Sequence, residues 1–508
     1  TRVRSSAASD VYKRQGLTDE QIAYDMTLRT VEVEEVENTA KKFHDIVVGE
    51  ILEIKAHPNA DKLRICMVDI GEEEPVQIVC GGSNLYVGEH VVVSKPGAEV
   101  VWHGQGEPVK ITKTKMRGES SYGMICASTE VYLSDFFPNE EESEIVDLKD
   151  FDCKPGDSVA DLFGMNDTVL EIDNKSLSNR PDLWGHYGIA RELSAIYDVP
   201  LKELPKYEIP KVPEYSVEIK DTTKCNRYVA VEIDGIYEKP SPMWMQSLLS
   251  KVGQRPINAI VDITNYVMMA VGQPLHAFDR THVDGNKIIV RNAEVNEELL
   301  LLDNNSIKLT TDDLVICDEN SPMALAGIRG GKKDSILPET TGIVLEIANF
   351  TAKTIRKTGK RFDEKTDASI RYEKNIDTER VDDGLNLALK LFKEIFPESK
   401  VVAFNDVYPV KTENEKIDVS EKFLNERLGK VLPRETITNI LTHLGYEVEY
   451  KDGIYHTVVP TWRSTGDVSL KDDVMGDIAR LLSFESFEKQ PLTIKFDKAV
   501  RQNNVILE

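Results

Sequence analysis

The sequence predicts a multidomain α+β protein: a small β-barrel, then a larger α/β unit, then a compact winged-helix-like unit. Three observations carry this. The chain has 508 residues, and at about 100–200 residues per domain that length implies roughly three to five units. The apolar pattern changes character twice, from short β-branched runs to mixed strands and helices, and then to paired short helices. Between two of these regions, Pro200, Pro205, Pro210 and Pro213 space out an extended stretch.

Taken in order, residues 1–15 (TRVRSSAASDVYKRQ) have no clear apolar period and resemble a translated sequencing adapter; a non-native leader outside the fold is expected. Residues 16–45 read as an N-terminal α/β segment. Thr18 caps a short helix to Leu28, with Gln21 three residues on as in a capping box. VEVEEVE (31–37) then alternates like a strand. Residues 46–150 hold the barrel: IVVGEILEI, LRICMVDI, VQIVC and HVVVS are short runs broken by Gly and Pro turns. Glu140 to Glu144 reads as a solvated acidic loop. Residues 151–213 contain a helix from His186 and the proline-spaced linker.

Residues 214–400 read as one α/β domain. Its last helix carries Leu385, Ala388, Leu389, Phe392 and Ile395 at i, i+3, i+4 spacing. Residues 403–487 form the winged-helix-like unit. One helix runs from a capping Ser420 to Gly429. A second runs from Pro433 to Gly445, with Ile437, Ile440, Leu441 and Leu444 on one face, before a strand pair. Residues 488–508 have no closing structure and read as the start of a further domain.

Composition narrows the function. A net charge of −25 argues, as an average, against nucleic-acid binding. Local charge matters more. Lys110, Lys113, Lys115 and Arg117 cluster, and Lys353, Arg356, Lys357, Lys360, Arg361 and Lys365 form a denser run. The six cysteines are scattered without a C-x-x-C, which argues against a zinc site or a disulfide framework. No apolar run reaches the ~18 residues of a membrane span, and the cytoplasm is the expected compartment. The nucleotide-binding G-x-x-x-x-G-K-[ST], the zinc-protease H-E-x-x-H and the hydrolase G-x-S-x-G are all missing. AGIRGG (326–331) lacks the first spacing.

HPNADKL (57–63), IVCGGSN (78–84) and KMRGESSYGMICA (115–127), in this order, resemble the tRNA-binding oligonucleotide-fold (OB-fold) domain of several synthetases. Such a barrel offers a groove whose basic side chains track phosphates. RPINAIVDITNYVMMAVGQPLHAFD (255–279), PMALAGIRGG (322–331), IVLEIANF (343–350) and TDASIRYEK (366–374) are similar to the editing domain of the bacterial phenylalanyl-tRNA synthetase β-subunit family. NRPDLWG (179–185) and PTWRSTGD (460–467) extend the resemblance over nearly all of residues 16–508. It implies an OB-fold at 46–150, a B3/B4 editing domain at 214–400, a B5 domain at 403–487 and a synthetase-like domain truncated after 488.

The same resemblance implies a partner α subunit, an α2β2 heterotetramer, and ATP-dependent charging of tRNA-Phe by the whole complex. The aminoacylation site belongs to the α subunit, since no class II synthetase signature is present here. This chain would bind tRNA and hydrolyse mischarged Tyr-tRNA-Phe. A non-catalytic tRNA-binding scaffold and a free-standing deacylase are the alternatives.

The chemistry required is specific. An apolar pocket rejects one added hydroxyl by only about 10²-fold, so a second site that accepts a hydrogen bond from that hydroxyl selects tyrosine for removal. Mapped by resemblance, Glu346 is that acceptor; it lies in the apolar strand IVLEIA, where an unpaired carboxylate is costly. Thr264, Asn265 and His276 would line the pocket near the scissile ester, with His276 positioning or activating a water. Gly327 would let the backbone approach substrate, and Thr366 and Ala368 would shape the side-chain pocket. The run from Lys353 to Lys365 would steer the acceptor end of tRNA or form a solvated face. Asp467, Asp473 and Asp477 are a candidate Mg²⁺ set, because Asp473 and Asp477 share a helical face and oxygen ligands suit that ion. The family carries four acids near its α-subunit interface, and the third position here is Gly476. The alternative is acids favoured by a helix N-terminus.

Overall fold

The structure, a computed structural model, describes residues 2–3, 16–139, 141, 143–301, 304–333 and 335–487. The domain expected from 488 lies outside the described residues. So does most of the expected leader, although Arg2–Val3 pairs antiparallel with Leu170 and Glu171.

Helix α1 (Asp19–Arg29) starts where its cap is encoded: the Thr18 hydroxyl accepts from the Gln21 amide. The Gln21 side chain does not reach back; it donates to Asp25 at 3.0 Å. Strand β1 (Val33–Asn38) follows. The barrel sheet contains β2 (Ile46–Ala56), β3 (Arg64–Asp69), β4 (Val76–Cys80), β5 (His90–Ser94) and β6 (Met124–Ile125), in the order β6-β5-β2-β3-β4. The long β2 pairs on both sides, helped by a register shift between Ile51 and Glu53. The sheet nearly closes, as the Tyr122 amide donates to the Gln77 carbonyl and the Val79 amide to the Ser121 hydroxyl. This is an OB-like barrel around Ile51, Cys66, Val68, Ile78, Val91 and Val93.

Strand β7 (Thr168–Ile172) returns to pair with β1, and α2 (His186–Tyr197) packs Ile189 and Leu193 against Ile22 and Met26 of α1. The proline-spaced stretch is docked. Its apolar residues Leu204, Tyr207, Ile209 and Val212 lie against the helical layer of the next unit, and the Tyr207 amide donates to Asn386 at 2.8 Å. Apolar side chains interleaved with its charged ones make it a strap rather than a free tether.

The α/β unit is built on two large sheets, with a separate two-stranded ribbon of Glu298–Leu300 and Ser306–Lys308. The strands of the large sheets are β8 (Ser216–Ile219), β9 (Cys225–Asp234), β10 (Leu275–Asp279), β11 (Lys287–Asn292), β12 (Leu314–Cys317), β13 (Pro322–Leu325), β14 (Arg329–Gly330), β15 (Gly342–Phe350) and β16 (Lys400–Val407). Its helices are α3 (Met243–Lys251), α4 (Ala259–Val271), α5 (Ala352–Phe362), α6 (Asp367–Tyr372) and α7 (Arg380–Ile395). One sheet is antiparallel in the order β10-β15-β9-β16, the other runs β8-β11-β12-β13-β14. Helices α4 and α7 cover one face of the first sheet through Ile260, Ile263, Leu385 and Leu389. Its other face meets the second sheet. Strand β16 crosses the boundary expected at 400–403 and belongs to this sheet through pairing with β9.

The last unit adds a strand ahead of its two expected helices. It comprises β17 (Lys416–Ser420), α8 (Glu421–Leu428), α9 (Arg434–His443), β18 (Glu447–Lys451), β19 (Ile454–Val458) and α10 (Lys471–Leu482), with sheet order β17-β19-β18. Ser420 caps α8 through the Phe423 amide, and Gly429 ends it in the left-handed region. Between units, Lys251 of α3 pairs with Asp167 just before β7 at 2.9 Å, both fully enclosed. Arg480 of α10 pairs with Glu192 of α2. No described helix is long and apolar enough to cross a membrane.

Candidate functional site

Strand β15 is buried along its whole length, and its alternation decides the site. Ile343, Leu345 and Ile347 face the helices. Val344, Glu346 and Ala348 therefore face the second sheet. In the antiparallel register Glu346 lies directly opposite His276 of β10 on one side and Ala230 of β9 on the other. Directly opposed residues share a face, with Cβ atoms about 5 Å apart. A cavity of about 70 Å³ opens there. His276 and Glu346 line it together with Ile316, Ala324, Leu325 and Tyr372 from the surrounding elements.

Glu346 is only 5 % exposed. The Tyr228 hydroxyl donates to its Oε2 at 2.7 Å. Burial, with the Glu346 charge beside it, pushes the Tyr228 hydroxyl well above the usual tyrosine range, so it stays a donor. The Tyr372 hydroxyl is raised for the same two reasons; it donates to the carbonyls of Ala348 at 3.0 Å and Pro274 at 3.3 Å. The His276 ring stands edge-on to Phe278 at 4.7 Å between centroids.

Gly327 turns the chain between β13 and β14 with φ +66°. A Cβ there would sit 2.9 Å from the Tyr372 ring. Thr366 caps α6: its hydroxyl accepts from the Ser369 amide and donates to the Ile328 carbonyl at 2.9 Å, tying that helix to the cavity wall. Ala368, on the first turn of α6, lines the cavity. Thr264 and Asn265 do not. They lie on α4, which covers the opposite face of the sheet, and the Thr264 hydroxyl donates to the Val261 carbonyl of its own helix. Tyr228 and Tyr372 are the site residues that motif reading misses. The signal was available, since a tyrosine at an inward position of CNRYVAVEI needs a buried acceptor.

The first basic cluster lies on the barrel. Lys115 and Met116 pair with Ser120 and Glu119 in a hairpin, with Arg117 at its tip. The HPNADKL segment braces it: His57 Nε2 meets the Met116 carbonyl at 3.1 Å, and the Asn59 side chain donates to the Arg117 carbonyl at 3.2 Å. Lys110, Lys113, Lys115 and Arg117 are all exposed. The Lys113 ammonium lies 4.4 Å over the Tyr122 ring. The second run is partly neutralised. Lys357 pairs with Asp312 at 2.6 Å, Arg361 with Asp313, and Arg356 donates to the Glu373 carbonyl. Lys353 and Lys360 are exposed on the same helix.

Three family models match in order: a tRNA binding domain over residues 46–158, a B3/4 domain over 224–397 and a tRNA synthetase B5 domain over 417–484. The phenylalanine–tRNA ligase β subunit of Staphylococcus haemolyticus is 36% identical over 93% of this chain and 59% of its own length. That of Halalkalibacterium halodurans is 34% identical over 93% of this chain and 58% of its own length. The chain is similar to phenylalanine–tRNA ligase β subunits over more than nine tenths of its own length. It spans about 59% of the length of such relatives. A solved N-terminal fragment of the phenylalanyl-tRNA synthetase β-subunit from Pyrococcus horikoshii aligns at 15% identity, covering 62% of this chain and 87% of that one; its TM-score of 0.35 is too low to carry an argument.

The resemblance to these β subunits implies Mg²⁺ at Asp467, Asp473 and Asp477, and the residues do not fit it. Asp467 accepts from Asn179 at 2.8 Å and pairs with Arg463 and Arg180. Asp477 accepts from the Tyr446 hydroxyl at 2.6 Å and pairs with Arg463 and Arg480. Burial opposes its ionisation, yet those guanidiniums hold its carboxyl well below the usual range. Asp473 accepts from the amides of Ser469 and Leu470, capping its own helix. Arginines thus engage Asp467 and Asp477, and among the described residues no three acids, histidines or cysteines converge to hold a dication.

Proposed function

We propose that this chain is the tRNA-binding and proofreading part of the β subunit of a cytoplasmic phenylalanine–tRNA ligase with two α and two β subunits. Its own reaction is hydrolysis of Tyr-tRNA-Phe. Charging of tRNA-Phe, with ATP and Mg²⁺, belongs to the whole ligase at a site on the α subunit. The unit at residues 416–482 is its winged-helix-like B5 domain.

The observation that carries this reading is the cross-strand pair of Glu346 and His276 in one apolar cavity. The aromatic ring of the misplaced residue enters between Ile316, Ala324 and Leu325, with Ala368 leaving room. A tyrosine hydroxyl donates to the carboxylate. Phenylalanine brings no donor, so it displaces water from Glu346 without replacing its hydrogen bond. His276 orients a water toward the ester carbonyl. Water adds to that carbon, the bond to the ribose oxygen breaks, and the leaving oxygen takes a proton. The basic cluster at Lys110, Lys113, Lys115 and Arg117 and the exposed Lys353 and Lys360 hold the nucleic acid through phosphates.

Glu346→Ala is expected to slow Tyr-tRNA-Phe deacylation by about 10- to 150-fold, the equivalent of one hydrogen bond to a charged group. Phenylalanine charging by the complex should stay unchanged. Deacylation at the wild-type rate would remove the role of Glu346.

A further inference from the structure

We infer that Tyr228 is a positioning residue for tyrosine selection, its hydroxyl holding the Glu346 carboxylate in place toward the cavity. The inference rests on the proofreading function proposed above and adds the group that keeps its acceptor competent.

Tyr228 lies opposite Ala348 in β15, two residues along from Glu346 on the same face. Such diagonal neighbours are within reach of an aromatic side chain. Tyr228 is fully buried, and its hydroxyl meets Glu346 Oε2 at 2.7 Å. A carboxylate has about four acceptor positions on its two oxygens, so this bond leaves capacity for a substrate hydroxyl. It also opposes the cost of holding a charge in an apolar wall.

The other groups around Glu346 differ from Tyr228 in their chemistry. Tyr372, from α6, donates to two backbone carbonyls. The Cys225 thiol is pushed up by burial and then by the Glu346 charge, stays neutral, and turns toward the Arg227 carbonyl. Arg329, on the cavity wall, pairs with Glu364 at 2.7 Å. His276 faces Glu346 from β10 as the proposed water-orienting group. Tyr228 therefore supplies a neutral donor that does not titrate near neutrality. Without it the carboxylate loses the bond that fixes its direction, and its oxygens are no longer held toward a substrate hydroxyl.

The experiment uses the full chain assembled with its α subunit and compares Tyr228→Phe, Glu346→Gln and the double variant with wild type. Deacylation of Tyr-tRNA-Phe and Phe-tRNA-Phe is followed at neutral pH, with kcat and KM resolved separately. Tyr228→Phe is expected to lose about tenfold on the tyrosyl ester. Phe-tRNA-Phe hydrolysis should stay at its background rate, and in the Glu346→Gln background the Phe substitution should add nothing.

An unchanged rate on the tyrosyl ester for Tyr228→Phe, or full additivity with Glu346→Gln, overturns the inference. If wild type does not deacylate Tyr-tRNA-Phe, or Glu346→Gln is unimpaired, the proposed function itself fails. If Tyr228→Phe does not fold, the double variant decides. Folding restored by removing the carboxylate's charge supports the coupling, whereas continued misfolding makes Tyr228 a packing residue and overturns it.

Discussion

Gly327→Ala probes both the fold and the cavity with one methyl group. The backbone there has φ +66°, and an L-residue in that region costs about 1–2 kcal/mol. The new Cβ would lie 2.9 Å from Tyr372 Cδ2 and 3.0 Å from both Ile355 Cδ1 and Phe350 Cδ2. All three belong to buried side chains of the core between the sheets, so none can swing into solvent. Overpacking of this kind costs about 1–3 kcal/mol. The sum is a destabilisation of about 2–5 kcal/mol. Relief comes most readily by moving the Tyr372 ring, which lines the cavity; deacylation of Tyr-tRNA-Phe should fall alongside stability. Urea denaturation followed by near-ultraviolet circular dichroism reads the first effect and a deacylation time course the second. An unchanged urea midpoint together with an unchanged rate would refute the reasoning from close approach.

Two further outcomes follow from the barrel. Glu89 is completely enclosed, and burial pushes its carboxyl up to about 7 from 4.5. The folded state thus holds the proton more tightly than the unfolded state. The contribution of Glu89 to stability is greatest below about pH 4.5, falls as pH rises through 7, and is flat beyond. Glu89→Gln should raise the urea midpoint at pH 8 and change it little at pH 4.5; equal effects at both would contradict this. Lys115→Ala combined with Arg117→Ala removes two exposed charges from the hairpin. The slope of log affinity for tRNA-Phe against log salt should flatten by about 0.7–0.9 for each phosphate that the variant no longer neutralises. Filter binding at several salt concentrations showing the same slope would mean that the tRNA binds elsewhere.

What is legible in the sequence follows the range of the physics. Helix ends at Thr18, Ser420 and Gly429 are decided within about four residues, and local reading places them. Strand β16 is placed by pairing with the distant β9, and local pattern gives no sign of it. The motifs around His276 and Glu346 are readable one at a time, but their opposition is a matter of register between β10 and β15. Thr264 and Asn265 show the converse: a shared motif does not say which face of the sheet a helix covers. The spacing of Asp473 and Asp477 correctly suggests a helix. It says nothing of Arg463, which comes from the preceding segment, or of Arg180, which approaches from another unit. Those two charges separate the observed salt-bridge cluster from the expected ion site.

The enclosed ion pairs between units have a consequence for reach. Ordinarily the contour length of a connecting segment sets how far apart two binding surfaces can be. Here Lys251–Asp167 and Arg480–Glu192 fasten the units, and residues 199–213 lie flat against one of them. The spacing between the 151–198 segment and the cavity unit is thus set, like the jaw opening of a caliper, where Lys251 meets Asp167. Added residues in the strap would bulge outward and leave that opening unchanged, whereas removing a single enclosed charge would let the jaws drift.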